Sequence, residues 1–520
     1  MSTDKSQAHT FRRSLIRSTS LLSVGTLFSR VLGFIRDILF ARYIGTGMSA
    51  DAFFVAFKIP NLFRSLVGEG AVNAALVPVF SQYKNEGDKA SFGECLSSGL
   101  ILFGGGLSIL TILGVICSPL LVRIVAPGFM AEPEKLQLAI SLTRWMFPYL
   151  FFIGLMSYFM GILYTYRSFV VPAFSSCLLN ISIIISIVIS AKSMGEPIWG
   201  LVFGVLIGGI CQFAVHLLPL KKNKIVFVKP KVMIHPGAKK IGALLVPRIF
   251  GAGVYQLNVL IDTFCASLSS LVGGGGVSAI YYANRIVQFP IGIFGVALAS
   301  AALPDLSQHF VNKDELAFKR IVCFSLKNMI FVMVPCTVML LLFARPVIQL
   351  LFERGAFTSY STDITSSTLW FYSFGLCAFA CNKLLVTAFH ALQDTKTPVK
   401  IAGVCLVLNA ALNFILMGPL KIGGIALASS IAGFVNFSIL FVFLARRVNG
   451  LGEGLLLYCV KVCCAGLFSG AILYFSFSLL AVSLWIQIFV GGGCGFVLYG
   501  AFCLFFKVES AQKIMQSIFK

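Results

Sequence analysis

The sequence predicts an all-α polytopic membrane protein of about fourteen spanning helices, arranged as two parallel six-helix repeats plus two C-terminal helices. Three observations predict it: overall apolarity, recurring apolar runs of spanning length, and motifs that return at a nearly constant offset. Of 520 residues, 58% are hydrophobic and only 12% are charged, with a mean hydropathy of +0.93. One soluble core cannot cover that much apolar side chain.

Apolar runs of about 20 residues cross roughly 30 Å of hydrocarbon as a helix. They recur at residues 100–125, 171–190, 199–220, 326–343 and 485–506. Loop charge sets the orientation. With the N-terminus inside, cytoplasmic loops hold Lys5, Arg12, Arg13 and Arg17, Lys84 and Lys89, Arg167, the stretch 221–240, Lys313 to Arg320, Lys396 and Lys400, Arg446 and Arg447, and the tail from Lys507. That is roughly two dozen basic residues inside against about five outside, which places both termini in the cytoplasm. The net charge of +22 follows from this bias, and "KKNKIVFVKPKVMIHPGAKK" reads as a cytoplasmic anchor rather than a nucleic-acid surface. Residues 1–18 are polar and basic, without the pattern of a cleavable signal.

The repeat is read from ordered pairs of motifs. "SRVLG" at 29–33 returns as "PRIFG" at 247–251, "AFKIPNL" at 56–62 as "ANRIVQF" at 283–289, and "PVFSQ" at 78–82 as "PDLSQ" at 304–308. Pro172 pairs with Pro398, and Asn180 with Asn409. The offsets stay between about 218 and 229 residues, which spans an even number of helices, so matched helices run the same way through the membrane. The organisation is a first six-helix lobe at 1–220, a basic linker at 221–240, a second lobe at 241–447, and an extra helix pair with a cytoplasmic tail at 448–520.

Fifteen cysteines fall mostly within spans and form no CxxC pair. They read as small buried or lipid-facing thiols, and no metal site is assigned. No nucleotide-binding GxxxxGK[ST], HExxH or GxSxG occurs, so an ATPase or hydrolase has no support.

Ionisable residues inside the spans carry the functional signal. The first helix of each lobe holds Arg30, Arg36 and Asp37, or Arg248 and Asp262; the second holds Lys58, Arg64 and Glu69, or Arg285 and Asp305. Lys58, Asn61, Arg64, Ser65, Glu69 and Asn73 share one half of a helix, beside Pro60. Each arginine at a bilayer centre costs roughly 2.5 to 3.5 kcal/mol, so four facing lipid would cost on the order of 10 to 14. They must face a cavity or partners, while Arg42, Arg123 and Arg144 are expected to snorkel to an interface. Asp37, Asp51 and Glu69 are available to pair with some cations of the first lobe, but Arg285 sits between neutral Asn284 and Gln288. Surplus guanidinium in a wet cavity favours an anion, phosphate above all.

"SRVLGFIRDILFARYIGTGMSADAFFVAFKIPNLFRSLVGEGAVNAALVPVFSQY", "YYANRIVQFPIGIFGVALASAALPDLSQ" and "TKTPVKIA" resemble the MurJ (MviN) lipid II flippases of the multidrug/oligosaccharidyl-lipid/polysaccharide exporter superfamily. The similarity covers nearly the whole chain, including the final helix pair. It implies a bacterial inner-membrane carrier, not an enzyme. Its substrate would be lipid II, undecaprenyl-pyrophosphate bearing disaccharide-pentapeptide, moved to the periplasmic leaflet by alternating access through a cationic central cavity. Arg30 and Arg36, with Asp37 following, Arg64 and Arg285 match the family's functional arginines, with Lys58 and Glu69 beside them. The final pair would supply a groove for the lipid tail.

Many members carry acids where Asn284 and Gln288 stand, which removes ion-pair gating there. Some members resemble sodium-coupled carriers, and the matching oxygen donors would be Asp262, Asn409, Asn413 and Ser429; a neutral pair such as Asn409 and Asn413 also makes interhelical hydrogen bonds. No cofactor is expected, only coupling to the membrane potential, sodium or protons. An interior-negative potential helps to expel an anion by about 2.3 kcal/mol per charge per 100 mV. Expected partners are lipid II or a related polyprenyl-pyrophosphate glycolipid, membrane lipids and cell-wall synthesis proteins, with no nucleic acid. Two rival functions remain open: a flippase for another prenyl-pyrophosphate oligosaccharide, and an ion-coupled small-molecule antiporter.

Overall fold

A computed structural model describes residues 2–67, 71–193, 195–232, 234–451, 454–479 and 483–518; side chains at 2–20, 22, 66, 67, 71, 74, 246–252, 254, 255, 478, 479, 517 and 518 are outside the description. The described residues form helices and connections, with no strand among them. By its contacts the chain divides into two compact units, Met1–Gln256 and Leu257–Lys520.

The first unit contains α1 (Ser2–Ile44), α2 (Met48–Val67), α3 (Ala71–Asn85), α4 (Lys89–Ile116), α5 (Ser118–Val125), α6 (Pro133–Met146), α7 (Pro148–Thr165), α8 (Val170–Ser193), α9 (Pro197–Lys222) and most of α10 (Pro236–Ala266). The second contains the end of α10, α11 (Ser269–Val272), α12 (Gly276–Pro290), α13 (Val296–Val311), α14 (Glu315–Phe352), α15 (Ser359–Ala391), α16 (Lys396–Leu420), α17 (Ile422–Arg447), α18 (Leu455–Leu479), α19 (Gly491–Phe505) and α20 (Glu509–Ile518). Among the described residues, eleven helical segments are long and apolar enough to cross a membrane.

Local chemistry sets the helix breaks. Proline opens α6, α7 and α9, where its missing N–H costs nothing. Pro60 lies inside α2 and Pro78 inside α3. A π-helical turn, Ile291–Gly295, joins α12 to α13, and Phe343 leaves helical geometry inside α14 between Pro335 and Pro346. Proline and π-turns are the usual causes of such kinks.

Within the first unit α8 packs against both α9 and α1. Small residues permit it: a Cβ on Gly25 of α1 would run into the Ala173 carbonyl of α8, and one on Gly204 of α9 would meet the Ile183 backbone. A second core joins α3, α4 and α7 through Leu76, Phe80, Leu96, Tyr158 and Ile162. The buried Tyr158 hydroxyl donates to the Leu96 carbonyl at 2.7 Å. The basic stretch after α9 is laid along α4. The Val228 N–H donates to the Gly93 carbonyl at 3.3 Å, the His235 N–H to Ser98 Oγ at 3.0 Å, and Lys231 Nζ stands 3.6 Å from Glu94. Gly93 allows the approach, because a Cβ there would overlap Val228.

Within the second unit α15 packs on α14 and α17, α16 on α17, and α18 on α14 and α19. The described cysteines are all free thiols.

Candidate functional site

Each unit holds a polar knot where its sequence places charge in an apolar helix. In the first unit the knot joins α1 to α8. Successive helix residues point about 100° apart, so Arg36 reaches its neighbour only by curling its long side chain. Arg36 Nη2 and Nε donate to Asp37 Oδ1 at 2.7 and 3.0 Å, and Nη1 donates to Asn180 Oδ1 at 3.0 Å. Asn180 Nδ2 in turn donates to the Ser29 carbonyl at 3.0 Å. This fixes which end of the amide faces the guanidinium. Asp37 is 2% exposed and Arg36 13%, a buried pair with its charges compensated side by side.

The other first-unit residues are more open. Arg30 is exposed and Lys58 half-buried. Half-buried Arg64 donates through Nε to Asn61 Oδ1 at 2.6 Å, one turn earlier on α2. Asp51 pairs with Lys135 at the start of α6, at 3.1 Å. Glu69 lies outside the described residues, as does the side chain of Arg248. Arg42, Arg123 and Arg144 are exposed, with Arg42 over the Tyr43 ring and Arg144 bonded to Ser118.

In the second unit the knot joins α10, α16 and α17. Asp262 is 8% exposed. Its Oδ1 accepts from Asn409 Nδ2 and Asn413 Nδ2, both at 2.9 Å, and its Oδ2 accepts from Ser429 Oγ at 3.2 Å. The four residues taken from the sequence as oxygen donors are therefore assembled. Sequence reasoning missed a fifth: Asn258 Oδ1 accepts from Asn409 Nδ2 at 3.0 Å. Asn258 lies one helical turn before Asp262, and that spacing alone could have found it. Asn409 Oδ1 and Asn413 Oδ1 are buried with no hydrogen-bond partner. Turning both amides over exchanges their nitrogens and oxygens at almost constant shape. A carboxylate, two amide oxygens and a hydroxyl would then converge, a donor set suited to a hard cation. Elsewhere in this unit Arg285 is exposed, its guanidinium carbon 5.5 Å from the Tyr281 ring centroid. The sequence reading also passed over Lys383, an exposed cation within α15.

Long apolar helices wrapped around buried ionic knots define an all-helical multi-pass membrane protein, and its fold is that of the MOP-superfamily transporters. A MATE family multidrug resistance transporter of that superfamily, solved in an inward-facing conformation, matches with a TM-score of 0.69 over 83% of this chain and 98% of its own, at 16% identity. The chain belongs to the lipid II flippase MurJ family, whose profile matches residues 40–490. It is 38% identical over 434 residues to the probable lipid II flippase MurJ of Buchnera aphidicola subsp. Acyrthosiphon pisum, covering 84% of each chain. It is 34% identical over 438 residues to the lipid II flippase MurJ of Burkholderia cenocepacia, again 84% of each. A solved lipid II flippase MurJ in an inward closed conformation matches with a TM-score of 0.81 and 28% identity, over 94% of this chain and 99% of its own.

Proposed function

We propose that the chain is a lipid II flippase of the bacterial inner membrane, carrying the lipid-linked peptidoglycan precursor from the cytoplasmic to the periplasmic leaflet. The observation that carries this reading is family membership over residues 40–490. Flipping breaks no covalent bond, so the chain works as a carrier and not as an enzyme. We count fourteen spans: the eleven apolar segments, together with α1, α2 with α3, and α10, whose charges lower their hydropathy. With both termini cytoplasmic, the first twelve spans form two parallel repeats and α18 and α19 the added pair.

In this reading Arg30, Lys58, Arg64 and Arg285 serve the pyrophosphate, with the Arg36–Asp37 pair lining their approach, and alternating access carries it across. Guanidinium forks match phosphate oxygens, and a bound anion relieves the mutual repulsion of these cations. The Asp262 knot supports a second element, coupling to a monovalent cation such as sodium. Its support is the pair of buried amide oxygens with no partner. Asp262, Asn409, Asn413 and Ser429 would hold the ion through their oxygens.

Complementation of a strain depleted of its own lipid II flippase tests the reading. The parent chain restores growth, and Arg30→Ala, Arg64→Ala and Arg285→Ala fail to do so at equal membrane abundance. A well-inserted parent that restores no growth, and moves no lipid II in vesicles, sinks it.

A further inference from the structure

Among the described residues Lys135 is the only buried lysine or arginine. Its place in the fold is unfavourable twice over. It occupies the first turn of α6, where the helix dipole repels a cation, and its long stem could have carried the ammonium out to water. Instead the side chain is 3% exposed, with Nζ 3.1 Å from Asp51 Oδ2 and 3.7 Å from Glu132 Oε2. The ring centroid of Phe129, itself fully buried, lies 4.5 Å away. One ammonium thus gathers the first turn of α2, the residue before α6 and the 3-10 turn Pro127–Ala131.

We propose that Lys135 is a positioning residue for α2, setting the rotation at which that helix presents Lys58, Asn61 and Arg64; this rests on the reading that the α2 cations serve the lipid pyrophosphate. Asp51 and Lys58 are seven residues apart, about two turns, and share a face to within about 20°. Fixing Asp51 therefore fixes the azimuth of Lys58. Pro60, inside α2, withholds the N–H that would bond residue 56, so the helix can bend there at low cost. A helix with such a joint needs an outside reference, and α6 packs along α2 to supply one. A buried ion pair is a poor source of net stability, and its better-attested use is to select one register among alternatives.

The test uses the full chain in lipid nanodiscs and proteoliposomes, with amide hydrogen exchange and lipid II turnover per folded molecule as readouts. Lys135→Met should speed exchange across residues 51–64 by about tenfold while α8 and α9 stay protected, and lower turnover by about tenfold. Lys135→Arg should keep about half the parent turnover, since a guanidinium can span the same two carboxylates. The double variant Lys135→Met with Asp51→Leu, which buries no unpaired charge, should recover the parent melting temperature without recovering turnover or protection of 51–64. Unchanged exchange in Lys135→Met, or a double variant that regains parent exchange and turnover, overturns the proposal. If the parent itself moves no lipid II, the lipid II reading fails, while the exchange data still decide the positioning role.

Discussion

The knot in the first unit and the knot in the second use the same tool, a buried asparagine amide on a helix packed against the charged one, to opposite ends. Asn180 turns its oxygen to a guanidinium that already neutralises Asp37. Asn409 and Asn413 turn their nitrogens to the Asp262 carboxylate and leave their own oxygens without partners. The first knot contains its cation as a side chain. The second holds its carboxylate with hydrogen bonds from neutral groups. Neutral amides can turn over at almost constant shape and release the carboxylate, which makes the second knot the one suited to change its occupant.

The largest test of that contrast is Arg36→Ala. Removing one partner of a buried pair leaves the other charge uncompensated, at a cost of about 3 to 5 kcal/mol. Folded, membrane-inserted protein should fall sharply in a detergent melting assay. Arg36→Ala protein that melts like the parent would mean the first knot does not depend on its built-in cation.

Next comes Asp262→Asn. The parent should gain thermal stability with sodium chloride relative to choline chloride, about 2.7 kcal/mol where sodium reaches 100 times its dissociation constant. The variant should lose that dependence while remaining folded. Equal melting of the parent in both salts would make the second knot a plain interhelical clasp. Smaller still is Asn258→Ala, expected to cost about 1 kcal/mol through one lost hydrogen bond, and to weaken any sodium response rather than abolish it.

The smallest effect lies outside the spans. Asp394, in the turn between α15 and α16, accepts from the Thr397 N–H at 3.0 Å and hydroxyl at 2.8 Å, and pairs with Arg447 at 3.2 Å. The Thr397 N–H first, then its hydroxyl and the Arg447 charge, hold this carboxyl below the ordinary carboxylate range. A depressed folded value means the contribution is whole above about pH 4 and fades as pH falls through the folded value. Asp394→Asn should therefore melt lower than the parent near neutrality and converge with it in acid. A gap that widens toward acid would reverse the assignment.

Much of this architecture was legible in the residue order, because in a bilayer run length and apolarity nearly determine a spanning helix. What hydropathy alone obscured were α1, α10 and the Pro60 and Pro78 segments, where charge and proline dilute the signal. The members of the second knot were legible through resemblance, and Asn180 and Asn409 through the repeat. The pairings were another matter. Asp51 and Lys135 are 84 residues apart, and Lys135 in "AEPEK" reads as one more loop charge, since nothing local shows that its stem turns inward. Asn258 was overlooked although one helical turn joins it to Asp262. Partner choice between distant helices is settled by packing, and a single sequence carries little of that.

The stretch laid along α4 bears on how a protease would see the chain. Residues 221–240 contain seven lysines, a composition that invites trypsin. Between its two backbone anchors at Val228 and His235, however, Lys229 is followed by Pro230, so the scissile bond left there follows Lys231. Nicking depends on how the local backbone is buried and bonded, not on sequence alone. Lys231 is held at Glu94 through its ammonium and its N–H, with an anchor on either side, so that bond can enter a protease cleft only after the stretch lifts from Gly93 and Ser98. The rate of that single cut is a clock for the lifting.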